Sequence, residues 1–484
     1  MTSDHFITLL RNHLPERCVV SSTEELRPYE CDALSAYREL PLGVVIPETL
    51  LQLQTTLKLC CEHRIPVVAR GAGTGLSGGA LPLANGLLLS LARFNRILDI
   101  DVENRTARVQ PGVTNLAISQ AAEPYGLYYA PDPSSQIACS IGGNVAENAG
   151  GVHCLKYGLT VHNIQRLRIL TMDGEQLDIG GPALDSPGYD LLALLTGSEG
   201  LLGVITEVTV KLLPKPEAAQ VVLAAFNSVA TAGAAVTATI ASGIIPAGLE
   251  LLDNPAIRAV EKFVHTGYPV DAAAILLCEI DGSAAEVDEQ IERISALYRE
   301  AGAFDVQISR NEAERQRFWA GRKAAFPAMG RLSPDYYCMD GTIPRKHLAG
   351  VLADIGALSD EYGLPICNVF HAGDGNLHPL ILYDANRAGE LERTEELGGR
   401  ILELCVAVGG TITGEHGVGM EKINQMCVQF NAAELSQFHA IKHAFDPQGL
   451  LNPGKAIPTL HRCAEFGAMH VHHGRLPHPE LERF

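Results

Sequence analysis

Arg70-Gly71-Ala72-Gly73-Thr74-Gly75-Leu76-Ser77-Gly78-Gly79-Ala80 follows an apolar, strand-like run over residues 65–69, and its reading decides the fold. Residues 73–78 fit G-x-G-x-x-G, the pattern of a nicotinamide-dinucleotide site. Such a site needs a helix directly after the loop to receive the pyrophosphate, yet Pro82 and Gly86 interrupt the chain and residues 87–91 read as strand. What remains is a run of backbone N–H groups unshielded by side chains, able to cradle a pyrophosphate without a helix. The plainer alternative is a glycine-rich turn that only permits tight packing. A second small-residue cluster, over 131–135 and 140–151, adds hydroxyls, amides and bare backbone suited to a flat ring system with polar edges.

Upstream of the loop, Leu50, Leu53, Leu57 and Cys61 recur at helical spacing. Downstream, residues 97–102, 106–109 and 203–213 read as strands, and Met172-Asp173-Gly174 joins a hairpin over 164–171 and 175–179. Pro214-Lys215-Pro216 breaks helix and strand alike and marks a domain boundary. Beyond it strands and helices alternate (strands 220–226, 247–252, 272–280, 336–343 and 366–370; helices 228–242, 284–301, 311–326, 347–362 and 390–408). This predicts an α+β fold, with a split βαβ sheet carrying helices on one face.

The chain has 484 residues, too many for one ordinary core. With 37 basic and 56 acidic side chains, its net charge of -19 repels nucleic acid and anionic lipid. None of the 12 cysteines forms a C-x-x-C pair, which argues against an iron-sulfur cluster on this chain and for reduced thiols in the cytoplasm. No apolar run reaches the roughly twenty residues of a membrane span.

A second signature lies in the later half: His371-Ala-Gly-Asp374-Gly-Asn376-Leu-His378, then Gly414-Glu415-His416-Gly417. Neutral imidazoles and a carboxylate are a usual ligand set for a divalent first-row metal, with zinc the first expectation and manganese or iron open. If both turns line one pocket, they form a metal site with a base beside it. Otherwise they are ordinary loops with surface or core histidines.

With these residues, residues 197–214 (GSEGLLGVITEVTVKLLP) and residues 445–455 (FDPQGLLNPGK), the chain resembles flavoproteins with the p-cresol methylhydroxylase type of FAD-binding domain, in the vanillyl-alcohol oxidase superfamily. Within it, the chain is similar over about residues 15–460 to the FAD-linked subunits of bacterial glycolate oxidases, relatives of D-lactate and D-2-hydroxyglutarate dehydrogenases. The resemblance implies an N-terminal segment (1–35), a two-part FAD-binding domain (36–215), a ferredoxin-like α/β substrate domain (216–420), a helical segment returning to the flavin (421–460) and a flexible tail (461–484). Arg70, Gly71, Ala72, Gly73, Thr74, Gly75 and Ser77 would hold the FAD pyrophosphate. Pro131, Asp132, Ser134, Ser135, Gly142, Gly143, Asn144 and Ala146 would line the flavin and its ribityl chain, Ile205 the adenine side, and Asn452 would return to the flavin. Thr74 stands where covalent relatives often carry histidine, which implies non-covalent FAD.

By the same resemblance, Arg322 in Trp319-Ala-Gly-Arg322 would anchor a substrate carboxylate through its planar fork. His371, His378 and Glu415 would hold the metal, and His416, with an ordinary pKa near 6.5, would be the general base. Asp374 and Asn376 would either orient those ligands or only stabilise their turn. No basic residue lies between Arg331 and Arg345 to meet a second carboxylate, which points to a small 2-hydroxy acid such as glycolate or D-lactate. The implied partners are a second flavin-type subunit and an iron-sulfur subunit, which would place the chain at the inner face of the cytoplasmic membrane. A stand-alone D-lactate dehydrogenase and a non-catalytic flavin-binding subunit are the alternatives.

Overall fold

The computed structural model describes residues 2–183 and 188–459. The expectation of a flexible, histidine-bearing tail lies outside the described residues.

The strand Val67–Arg70, which delivers the glycine loop, is one edge of a four-stranded sheet ordered Val19–Val20, Gly43–Val45, Leu87–Ser90, Val67–Arg70. Its last three strands run parallel and are joined by crossovers, so both faces must be covered. The helix Leu50–His63 covers one, burying Leu53, Leu57 and Cys60; the Thr49 side chain caps its start. Phe6, Ile7 and Leu10 of the helix Ser3–His13 enter the same core, and Val19–Val20 pairs with Gly43–Val45. The N-terminal segment is thus part of this sheet.

An antiparallel five-stranded sheet follows, ordered Ile97–Asp101, Thr106–Val109, Val204–Lys211, Ile164–Leu170, Gln176–Gly180. Val204–Lys211 alternates buried and half-buried side chains, as a sheet with one covered face requires. Ser140 caps a helix over Ile141–Glu147, which the small-residue composition of that stretch had hidden.

The third sheet has seven antiparallel strands, ordered Asp305–Ile308, Ala218–Phe226, Ala274–Gly282, Gly248–Asp253, Ile366–His371, Pro379–Tyr383, Asp335–Cys338. The expected helices on one face prove to lie on both. Val222, Ala224 and Phe226 pack with the helices Val229–Ala241 and Ala284–Glu300, while Val221, Leu223 and Ala225 pack with Asn254–Val264 and Glu312–Lys323. Two central strands carry unbroken apolar runs, residues 221–226 and 274–278, buried at every position, which is the pattern of a sheet buried twice rather than once. Ten described cysteines carry free thiols; Cys427 is disulfide-bonded, so the expectation of reduced thiols does not extend to it.

Candidate active site

A cavity of about 390 Å³ separates the glycine loop and the helix Ile141–Glu147 from Arg322, Lys323, Phe326, Pro327, His378, Glu415 and His416. Of the residues singled out by sequence, Arg70, Gly71, Ala72, Gly73, Thr74, Gly75, Ser134, Ser135, Gly142, Gly143, Asn144, Ala146 and Ile205 line it. Pro131, Asp132, Ser77, Asn452 and His371 stand behind its wall. The Pro131 carbonyl accepts from Asn115 Nδ2 (2.9 Å), and the Asp132 carboxylate holds His153 Nδ1 at 2.7 Å. Asn452 Nδ2 donates to the carbonyls of Gly79 (2.9 Å) and Glu199 (2.7 Å) and so ties the C-terminal segment to the loop.

The loop has the chemistry of an anion cradle. The N–H groups of Ala72, Gly73, Thr74, Gly75 and Leu76 find no acceptor among the described residues, and a Cβ on Gly75 would meet nothing within 4 Å. Gly73 has φ +72° and lies against the Arg70 guanidinium, where a side chain would collide. A pyrophosphate fits these donors.

The second signature closes around Glu415. Its Oε1 lies 3.3 Å from His371 Nε2 and 3.0 Å from His378 Nε2, and the donor atoms of all three residues fall within 4.8 Å of one another. His378 Nδ1 faces the Met339 carbonyl at 3.2 Å; a carbonyl only accepts, so Nδ1 carries a proton and Nε2 is the nitrogen turned towards Glu415. His371 is oriented by a residue that sequence reasoning missed. Glu250 Oε1 accepts from His371 Nδ1 and Glu250 Oε2 from Arg322 Nε, both at 2.7 Å and fully buried. Arg322 Nη2 is left buried and unpartnered in a side chain that lines the cavity. Glu250's only sequence signal is its charge within the apolar strand Gly248–Asp253.

Two further carboxylates shape the turn. Asp340 accepts from the N–H groups of Gly414 (3.0 Å), Glu415 (3.1 Å) and His416 (2.9 Å) and pairs with the buried Lys422 at 3.1 Å. Glu199 accepts from Val418 N and Gly419 N, each at 2.7 Å, while the Ser77 carbonyl accepts from Met420 N (3.0 Å) and Glu421 N (3.1 Å). The glycine loop and the Gly414–Gly417 turn are therefore one assembly. Asn376 Oδ1 finds no partner, and Asp374 accepts from Asn376 N at 3.0 Å, a bond within the turn itself.

Burial favours neutral forms here, and neighbouring charge decides each outcome. Burial opposes the ionised Glu415, but His371 and His378 hold it well below the usual carboxylate range; burial likewise opposes a charged His371, but Glu250 and Glu415 hold it well above the usual imidazole range. For His416 burial wins, and its pKa falls to about 4 rather than staying near 6.5. Its ring stacks on His378 at 4.9 Å and is neutral across the physiological range.

Residues 215–456 match the family described as FAD linked oxidases, C-terminal domain, and residues 41–180 the FAD binding domain. The chain belongs to the FAD-linked oxidases. This FAD-linked oxidase is 68% identical over 475 residues to glycolate oxidase subunit GlcD of Escherichia coli (strain K12), covering 98% of this chain and 95% of that protein. It is 33% identical to a D-lactate dehydrogenase of Anaerostipes hadrus, covering 86% and 91%. The crystal structure of p-cresol methylhydroxylase with substrate bound shares its fold, with a TM-score of 0.80 at 17% identity over 95% and 97% of the two chains. Membership makes FAD the group for which the cavity and its loop of free N–H donors are built.

Proposed function

We propose that this FAD-linked oxidase oxidises glycolate to glyoxylate, with D-lactate to pyruvate as a second reaction of the same site. The observation that carries the reading is Arg322 Nη2, buried, unpartnered and set on the flavin cavity wall beside the His378–Glu415–His416 cluster. Arg322 takes the substrate carboxylate with the edge of its guanidinium that Glu250 leaves free. His371, His378 and Glu415 would hold a divalent metal, zinc first and manganese or iron next; two imidazoles, once His371 gives up its proton, and a buried carboxylate suit any of them. Such an ion would acidify the substrate hydroxyl, and FAD would supply the hydride acceptor for Cα.

His416 takes the hydroxyl proton at Nε2, which lies 3.8 Å from Glu415 Oε1. Burial keeps His416 neutral and so able to accept a proton. Arg70 to Gly75 cradle the pyrophosphate, and Thr74 leaves FAD non-covalent. Phe326 and Pro327 close the cavity wall next to Arg322, and Lys323 lines the same cavity. The similarity to a protein named as a subunit supports partners that carry electrons away, a second flavin-type subunit and an iron-sulfur subunit. They would hold this chain at the inner membrane face from the cytoplasm; no helix among the described residues is long and apolar enough to cross a membrane. The same resemblance supports 36–215 and 216–420 as the two main domains.

Anaerobic addition of glycolate to the purified protein tests the reading. Bleaching of the flavin band at about 450 nm is expected. Bleaching by D-lactate alone would favour a D-lactate dehydrogenase, and no bleaching by either would leave a non-catalytic flavin subunit.

A further inference from the structure

His153 bridges the two family-matched parts of the chain. It stands in the part that matches the FAD binding domain, where its backbone N–H donates to Asp132 Oδ1 at 3.2 Å and its Nδ1 lies 2.7 Å from Asp132 Oδ2. Its Nε2 lies 3.3 Å from Oε1 of Glu279, on the strand Ala274–Gly282 of the large sheet. An ionised carboxylate only accepts, so a ring that turns each nitrogen to one carries both protons. Burial opposes that charge, but Asp132 and Glu279 hold His153 well above the usual imidazole range.

Each end of this clamp leads to a different half of the site. Asp132 opens the stretch Pro133, Ser134 and Ser135, which lines the flavin cavity, and among the described residues its carboxylate accepts hydrogen bonds only from His153. Glu279 is 3% exposed and accepts from Arg315 Nη1 at 2.9 Å and from the Trp319 indole N–H. Both belong to the helix Glu312–Lys323, and Arg322 follows Trp319 by one turn. Every group assigned to the substrate or metal, namely Arg322, His371, His378, Glu415 and His416, lies within residues 215–456, whereas the glycine loop lies within 41–180. The two parts must be aligned across the cavity. Glu199 fastens them at the Gly414–Gly417 turn, and His153 fastens them on the Arg322 side.

We propose that His153 is a positioning residue that sets the Arg322 helix against the flavin loop, and so governs the rate of hydride transfer rather than the binding of substrate. The kinetic consequence rests on the reaction proposed above; the clamp does not. Without the imidazole, the Asp132 and Glu279 carboxylates lose the donor between them. The segment stays tied to the same strand, because Lys156 Nζ donates to the Asp281 carbonyl and the Tyr157 hydroxyl to Asp281 Oδ2, each at 2.7 Å. H153A therefore folds and loses alignment.

Anaerobic stopped-flow reduction of the FAD-loaded protein by glycolate is compared in wild type, H153A, D132N and the double variant. The limiting rate of flavin reduction should fall roughly tenfold or more in H153A, while the glycolate concentration for half that rate stays within about twofold of wild type and FAD content is unchanged. D132N keeps the volume and removes the charge; it should slow reduction in the same way, and the double variant should be no slower than H153A. A wild-type limiting rate in H153A overturns the proposal, as does a change confined to the glycolate concentration. Amide hydrogen exchange in the same proteins, which needs no turnover, should quicken over residues 131–140 and 312–323 in H153A and D132N. Unchanged exchange in both segments overturns the clamp. Wild-type protein that glycolate does not reduce, but whose variants show the quickened exchange, would sink the proposed substrate and leave the clamp standing. Should H153A not fold, D132N carries both measurements.

Discussion

At 2.7 Å from both Arg322 Nε and His371 Nδ1, the Glu250 carboxylate orients the Arg322 fork and the His371 imidazole at once. Its neighbours hold it ionised against the burial that opposes charge. Glutamine at 250 offers one oxygen where two donors need acceptors. E250Q should lower kcat/KM for glycolate by roughly 10²-fold or more while FAD content stays at the wild-type level, measured by steady-state kinetics beside the flavin spectrum. R322K should raise KM roughly 10–100-fold, the worth of one charge-assisted hydrogen bond, because a single ammonium cannot serve Glu250 and a substrate carboxylate together. A KM within twofold of wild type would remove Arg322 from its assigned role.

The turn that carries Glu415 and His416 is held from three sides, and its glycines are there for space. Gly417 has φ +82°, and a Cβ on it would run into Glu147 Oε2, so alanine is excluded twice over. Just past the turn, Glu421 is buried with neither carboxylate oxygen hydrogen-bonded. Burial pushes its pKa up to about 8 from 4.5, with Asp340 adding to the shift and Lys422 opposing it. The folded form thus binds a proton between pH 4.5 and 8 that the unfolded chain does not. Its stabilising contribution is complete below pH 4.5 and is lost as pH rises towards 8. E421Q should flatten that slope and gain about 3 kcal/mol at pH 7 relative to wild type, read from denaturant unfolding at pH 4.5 and pH 7. An unchanged slope would show that Glu421 is ionised in the folded protein.

At the scale of the molecule, the C-terminal segment backs the glycine loop from behind: residues 450–452 pair in parallel with Val67 at the start of the strand Val67–Arg70, and Lys455 Nζ donates to the Gly79 carbonyl at 3.1 Å. A chain ending at residue 449 should emerge without bound FAD, checked by the ratio of flavin to protein absorbance. Dialysis of the full chain against a chelator should instead abolish glycolate turnover and leave the flavin spectrum in place, with zinc or manganese restoring rates. The glycine loop, the twofold and 3.6-fold periodicities, and the two imidazole-bearing turns were legible in the sequence because each is a property of neighbouring residues: bare backbone, alternating burial, paired donors. Helices on both faces of the large sheet were not read from the sequence, because the apolar runs 221–226 and 274–278 show their meaning only beside the sheet they build. Glu250 was not legible. It meets His371 because two strands 121 residues apart pair in the register Glu250↔His371, and Glu199 reaches the Gly414–Gly417 turn across 219 residues. The sequence by itself thus determined the family, the cofactor and the donor types, since local chemistry is written in local residues. Only the tertiary structure decided which carboxylate orients each donor and that burial keeps His416 neutral, because burial and long-range pairing set these and neither is a property of any one stretch of chain.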